Sequence, residues 1–274
     1  MDRISEQIEE AGRRAALARG AGGGSRAQLV PNAKNLTSVQ ELPAGQALEL
    51  DFDLLSSRCV FNGGQGQFAE VYRVLRTRVL QQMRQNDWST LGVTSANPRA
   101  GKTTTSINLS LAIARDPSFS SVLLDCDFRR PNVHKSLMVD PEAGLIDYLQ
   151  GNAELDDIMY CHGGQEWRFI PSGPRQHEAP SELFGSERMG ELLDKLREER
   201  ESTIAVFDLP PATVGDDVLA LSTELDAMLL IVEDEVTDER ELRNALDLLK
   251  DNNIVGLVLN KAASAGEFVY SYYD

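Results

Sequence analysis

The 274-residue sequence predicts an α/β fold: a doubly wound, mostly parallel sheet with helices on both faces. Three observations carry this reading. Short, continuous apolar runs recur along the chain, as strands buried on both faces require. Segments with helical apolar spacing separate most of these runs, the alternation that builds parallel sheets. A turn-rich loop, Asn97-Pro-Arg-Ala-Gly-Lys-Thr103, joins one such run directly to a long apolar helix. Apolar residues make up 42% of the chain, enough for a full core.

At the start, Ile4, Ile8, Ala11 and Ala15 fall at helical spacing and give a short, weakly apolar stripe. Gly20-Ala-Gly-Gly-Gly-Ser25 reads as a flexible linker, and nothing periodic follows before about Leu48. Residues 1–47 are therefore expected to be a flexible extension with a short helix, and 48–266 the folded domain. Residues 267–274 form a tyrosine-rich tail. The first 34 residues carry a net +2, whereas the whole chain carries −16. A mildly basic arm on an acidic body suits either a membrane or acidic partner, or a plain solvated tail.

Phe68 to Met83 is predicted helical, with Val71, Leu75 and Val79 on its apolar face. Beside that face Glu70, Arg73 and Arg76 recur every three residues. Taken alone, they read as a solvated stripe with local ion pairs worth about 0.2–0.5 kcal/mol each. A strand candidate beginning at Leu91 leads into the loop, and a helix candidate, Lys102 to Arg115, leaves it. Further strands are expected at Ser121–Leu124, Trp167–Ile170, Thr203–Phe207, Ala227–Val232 and Ile254–Leu259. Helices are expected at Glu187–Arg197 and Asp238–Leu249.

A loop of this kind turns successive backbone N–H groups and a helix N-terminus toward one anion, which suits a polyphosphate. The candidate nucleotide-binding residues are Asn97, Pro98, Arg99, Ala100, Gly101, Lys102, Thr103 and Thr104. Lys102 would reach the β- and γ-phosphates, and the Thr103 hydroxyl would ligand Mg²⁺. Ala96 stands where such loops usually have their first glycine, so the pattern is a relaxed one. Asp125 and Asp127 directly follow one strand, and Asp208 directly follows another. In a doubly wound sheet these carboxyl ends meet the loop. Carboxylates there can hold Mg²⁺, directly or through water, and Asp127 could accept a proton from an attacking hydroxyl.

Other classes are excluded or weakened. No apolar run approaches the ~18 residues of a membrane span, and no apolar leader opens the chain, so a soluble, cytoplasmic protein is expected. Cys59, Cys126 and Cys161 show no metal or redox spacing and are expected to be buried or half-buried thiols. His134, His162 and His177 are scattered, which assigns them surface or structural roles. The acidic balance argues against nucleic acid as a partner.

Together, the loop, Asp125-Cys-Asp127-Phe-Arg129 and Asp208-Leu-Pro-Pro211 resemble the Walker A, Walker A′ and Walker B motifs of the bacterial tyrosine kinases. Those are P-loop NTPases of the deviant-Walker ATPase-like kind, which phosphorylate their own tyrosine-rich C-terminus and regulate capsule or exopolysaccharide export. The Glu70-x-x-Arg73-x-x-Arg76 stripe is similar to that family's oligomerisation motif, which replaces the solvated-stripe reading. Tyr270, Tyr272 and Tyr273 resemble its phosphoacceptor cluster. The resemblance covers roughly Leu48 to the end, and the extension before it looks like that of cytoplasmic autokinases encoded beside exopolysaccharide genes.

The resemblance implies an autokinase using ATP and Mg²⁺, with Lys102 and Thr103 on phosphate and metal. Asp125 and Asp208 would support the metal, and Asp127 would lie near the tyrosine hydroxyl. Asn260 matches the position at which related P-loop ATPases bond adenine, though an Asn closing a strand is also an ordinary turn former. The resemblance further implies a homo-oligomeric ring, a membrane-bound polysaccharide co-polymerase as activator and a tyrosine phosphatase as partner. The kinase would sit on the cytoplasmic side of the inner membrane, held there by the activator.

One departure is Arg99-Ala100, where the family often reads Gly-Glu; losing a glycine restricts the loop's backbone choices. A ParA/MinD-type positioning ATPase shares the sheet and the three motifs. It usually carries an extra lysine five residues before the loop lysine, where this chain has Asn97. A non-catalytic, nucleotide-dependent assembly scaffold is the remaining alternative.

Overall fold

The computed structural model describes residues 42–43, 45–60, 67–164, 166–174 and 180–262. Among them, strands β1 to β8 form one sheet in the order β1-β4-β5-β3-β6-β2-β7-β8. In chain order these are β1 (Gln46–Ala47), β2 (Thr90–Ser95), β3 (Ser120–Asp125) and β4 (Tyr160–His162). They are followed by β5 (Trp167–Ile170), β6 (Thr203–Asp208), β7 (Ala227–Glu233) and β8 (Ile254–Asn260). All pairings are parallel except β4 with β5. β1 and β4 were not foreseen. They are two and three residues long and lie next to each other at one edge, too short for an alternation to register.

Residues that follow each other in a strand feed different cores, as a sheet covered on both faces demands. Leu124, Phe207 and Leu230 belong to one apolar cluster, and their neighbours Leu123, Val206 and Leu229 belong to the other. The expected burial fails at β8. As the edge strand it is only partly buried, and Leu259 is 56% exposed.

Of the helices, α1 (Phe52–Leu55) precedes α2 (Gln67–Asn86), which is built from Gln, Glu, Arg, Leu and Met without Gly or Pro. It stops where Asp87 turns left-handed, with φ 58°. Its buried face runs through Ala69, Val79, Leu80 and Met83. Val71, expected on that face, is 37% exposed, because the stripe drifts round the helix toward its C-terminal half. Helix α3 (Lys102–Ala114) is buried along nearly its whole length, and α4 (Val133–Leu137) follows β3. Short helices α5 (Leu145–Leu149), α6 (Leu155–Ile158) and α7 (Pro180–Phe184) lead to α8 (Glu187–Glu198). Helix α9 (Asp217–Ser222) follows β6, and α10 (Glu239–Leu248) lies between β7 and β8. Ser186 caps α8 and Asp238 caps α10, the latter in a reciprocal box with Glu241. No helix of the described residues is long and apolar enough to cross a membrane.

Two expectations about side chains resolve differently. Cys126 is buried and Cys161 half-buried, but Cys59 is exposed, on a left-handed turn residue with φ 59°. His162 Nδ1 bonds the Leu48 carbonyl at 3.1 Å and its ring meets Phe52 edge-on. His134 lies on α4, and His177 falls outside the described residues.

Past β5 the backbone packs tightly against the start of α5. Leu145 and Ile146 N–H groups bond the Pro171 and Ser172 carbonyls at 2.7 and 3.1 Å. A Cβ on Gly144 would lie 2.2 Å from the Gly173 nitrogen, and backbone cannot yield cheaply. Gly144→Ala is therefore expected to lower stability by about 1–3 kcal/mol, read as a fall in thermal midpoint. An unchanged midpoint would contradict this packing.

Candidate active site

The pairing of β6 with its neighbours brings the candidate residues together. Asp125 and Asp208 are direct partners across β3 and β6, and Asp208 also faces Val93 on β2. The loop therefore leaves β2 beside both acids. Gly101, with φ 95°, turns the chain into α3, and no side chain caps the helix there. Its first-turn N–H groups have no intrahelical acceptor and remain available to an anion.

Around this turn the polar side chains are nearly dry. Lys102 Nζ lies 3.0 Å from Asp127 Oδ2 and 3.8 Å from Asp208 Oδ2. Thr103 Oγ1 donates to Asp208 Oδ2 at 2.8 Å, and Ser106 Oγ donates to Asp208 Oδ1 at 3.0 Å. Asp125 Oδ2 accepts the N–H groups of Asn132 and Val133 at 3.2 and 3.0 Å, which fixes α4 against the end of β3. Asp127 Oδ1 accepts the Arg130 N–H at 3.0 Å. Arg129 makes a two-point contact with the buried Asp217 at 2.6 and 3.2 Å, closing the loop after β6 over this corner. Asn97 Oδ1 is buried without a partner among the described residues.

The protonation equilibria follow from this crowding. Burial first, and then the facing Asp208 charge, pushes the Asp125 carboxyl up to about 8. Asp208 is raised as well, by burial, although Lys102 and Thr103 pull it down. Burial lowers Lys102, but the attraction of Asp208 and Asp127 prevails and holds its ammonium above the ordinary value.

The remaining predicted residues are dispersed as follows. Pro98 and Arg99 are exposed on the loop, Ala100 is buried beneath it, and Thr104 is half-buried on α3. Asn260 closes β8, and its Nδ2 donates to the Ala100 carbonyl at 2.8 Å. Glu70 and Arg73 pair on α2, while Arg76 Nη1 reaches the Ala112 carbonyl at 3.4 Å. Tyr270, Tyr272 and Tyr273 lie outside the described residues. Ser106, Asp217 and Lys261 were not foreseen. Ser106 had a signal, since it stands one turn after Lys102 and so shares its face. Asp217 and Lys261 had none, because their contacts join residues 88 and 162 positions apart.

The value for Asp125 lies above its ordinary 3.8, so its stabilising contribution is full at low pH. That contribution is lost as pH rises from ~4 to ~8. Asp125→Asn stays neutral throughout. In chelator and without nucleotide, its thermal midpoint is expected to gain on the parent's across that window and hold level above it. A difference that stayed constant from about pH 5 to about pH 9 would mean that Asp125 is not the group that titrates.

No protein-family model matches the chain. Individual proteins do. The chain is 25% identical over 207 residues to tyrosine-protein kinase YwqD of Bacillus subtilis, covering 75% of itself and 86% of that relative. It is 29% identical over 205 residues to tyrosine-protein kinase etk of Escherichia coli, where it covers 74% of itself but only 28% of the relative. The solved kinase domain of Escherichia coli tyrosine kinase ETK superposes with a TM-score of 0.62 at 28% identity. That match covers 71% of this chain and 77% of the domain. In its loop, its paired acids and its sheet the chain is similar to these bacterial tyrosine kinases.

Proposed function

We propose that the chain is an ATP-dependent protein-tyrosine autokinase that phosphorylates its own C-terminal tyrosines in trans, and so regulates exopolysaccharide or capsule synthesis and export. The observation that carries this reading is the buried group of Lys102, Thr103, Asp127 and Asp208 at the mouth of a loop built to hold polyphosphate. Phosphoryl transfer asks little covalent chemistry of a protein; positioning and charge neutralisation do the work.

The residues fit Mg²⁺ shared with substrate phosphates. Among the described residues no three His, Cys, Asp or Glu side chains form a metal site by themselves. Mg²⁺ needs no such cage, because it keeps waters and takes one or two carboxylates plus phosphate oxygens. Thr103 and Asp208, already in contact, would hold it, with Asp125 behind them. Bound there, it would neutralise charge on the transferring phosphate.

Lys102 would engage the phosphate oxygens from the start of α3. Asp127, whose Oδ2 touches the Lys102 ammonium, would orient the incoming tyrosine hydroxyl and accept its proton. Asn97, whose Oδ1 has no partner among the described residues, and residues 98–104 would contact the nucleotide. Asn260 would flank the base. Tyr270, Tyr272 and Tyr273 are the proposed acceptors.

Delivery of a neighbour's tail needs an oligomer. Ala69, Tyr72, Arg73, Arg76, Asn108, Ala112 and Arg115 line a groove of about 210 Å³ between α2 and α3. Arg76 Nε is buried in it without a partner among the described residues. A carboxylate such as Glu70 of the next subunit would complement it, closing a ring. A membrane-bound polysaccharide co-polymerase would activate the kinase at the cytoplasmic face, and a tyrosine phosphatase would reverse it.

Incubation with ATP and Mg²⁺ is expected to place phosphate on Tyr270, Tyr272 or Tyr273 by mass spectrometry, with Lys102→Met losing it by at least about 100-fold. ATP hydrolysis with an unmodified tail would refute the kinase reading. For the ring, the double change Arg73→Ala with Arg76→Ala is expected to reduce the mass seen by light scattering to that of a monomer. An unchanged mass would remove the groove from the interface.

A further inference from the structure

The loop's backbone is held from behind by side chains. The Ala96 carbonyl accepts from Thr213 Oγ1 at 2.8 Å and the Asn97 carbonyl from Ser95 Oγ at 2.7 Å. The Arg99 carbonyl accepts from Lys261 Nζ at 2.9 Å, and the Ala100 carbonyl from Asn260 Nδ2 at 2.8 Å. A trans peptide is planar, so its C=O and the following N–H point in opposite directions. Holding the Arg99 carbonyl toward the end of β8 therefore aims the Ala100 N–H the other way. The Asn260 contact does the same for the Gly101 N–H.

Arg99 makes this restraint consequential. Its φ of 67° lies in the left-handed region, which a side chain bearing a Cβ adopts only when its surroundings hold it there. Lys261 is itself held. Its ammonium bonds Glu233 Oε1 at 2.8 Å, and Glu233, the last residue of β7, is only 14% exposed. The Glu233 N–H is in turn capped by Thr237 Oγ1 at 3.0 Å. The restraint thus runs from the sheet, through Glu233 and Lys261, to the one strained peptide of the loop.

We propose that Lys261 is a positioning residue for phosphate binding: oriented by Glu233, it fixes the Arg99 peptide so that the Ala100 N–H faces the phosphate. The inference rests on residues 97–104 being the nucleotide site. Lys261 does not touch the ligand in this arrangement. Its effect passes through the backbone, and it is largest because Arg99 stands where glycine would rest unstrained.

The test is titration of the full chain with a fluorescent ADP analogue and Mg²⁺, using the parent, Lys261→Met, Lys261→Arg, Arg99→Gly and the double variant Arg99→Gly with Lys261→Met. Lys261→Met is expected to raise Kd about fivefold, the scale of one backbone-directed hydrogen bond. Lys261→Arg, which keeps a donor, is expected to recover most of that loss. In the Arg99→Gly background the penalty of Lys261→Met is expected to fall below about twofold. Equal binding by Lys261→Met and the parent would overturn the proposal. So would the same penalty in both backgrounds, which would mean that Lys261 acts through its charge alone. If the parent bound no nucleotide, the site reading itself would fail, and the inference with it.

Discussion

The Asp208 carboxylate is the contact on which the site depends. It ends β6, and both its oxygens are taken by hydroxyls of α3, from residues 105 and 102 positions earlier in the chain. Those bonds fix the rotation of the helix that carries Lys102 and Thr103. They also leave Asp208 directly opposite Asp125 in the sheet, both fully buried. Burying an ion costs several kcal/mol after relaxation, and a hydrogen bond to a charged group returns about 1.5–3. One lysine shared between Asp127 and Asp208 cannot neutralise the group. Such a cluster is a poor way to stabilise a domain and a good way to prepare a site for cations and phosphate.

Much of this was legible in the sequence, for a physical reason. Strands of a parallel sheet are buried on both faces, so Ile204–Phe207 and Ala227–Val232 stand out as unbroken apolar runs. The acids that follow them land at one end of the sheet because every strand between β5 and β8 runs the same way. What escaped depends on distance along the chain. β4 runs antiparallel to β5 and is only three residues long, so no pattern announces it. The burial of Asp217 under Arg129 comes from docking α9 against the turn after β3, which local spacing does not encode. Val71 and β8 were read as buried from their residue types, whereas burial is decided by what lies opposite. Little covers β8 at the edge of the sheet.

Asn260 shows how a position can be legible while its contact is not. The end of the last strand is foreseeable as a candidate place beside the loop. That its amide donates to the Ala100 carbonyl is not, nor that a Cβ on Gly101 would sit 2.0 Å from it. Glycine at 101 is therefore favoured by its φ of 95°, and any side chain there would push the Asn260 amide off the Ala100 carbonyl. The relaxed motif, with Ala96 and Arg99 in place of smaller or freer residues, survives because the neighbouring strands supply restraints from outside.

One sheet and loop of this kind serve different chemistries, so the kinase reading must draw on what surrounds the loop. Here α3 is informative. Its first turn carries Lys102 and Thr103, while Asn108, Ala112 and Arg115 further along it line the groove beside Arg73 and Arg76. At 13 residues the helix is about 20 Å long, and its packed interior resists bending. A subunit docked in that groove would bear on the same rigid element whose N-terminus would receive the phosphates. On the proposed reading, assembly and nucleotide binding are thus coupled through a single helix. Asp208 is the point at which that helix is fastened to the strand that ends in the candidate site.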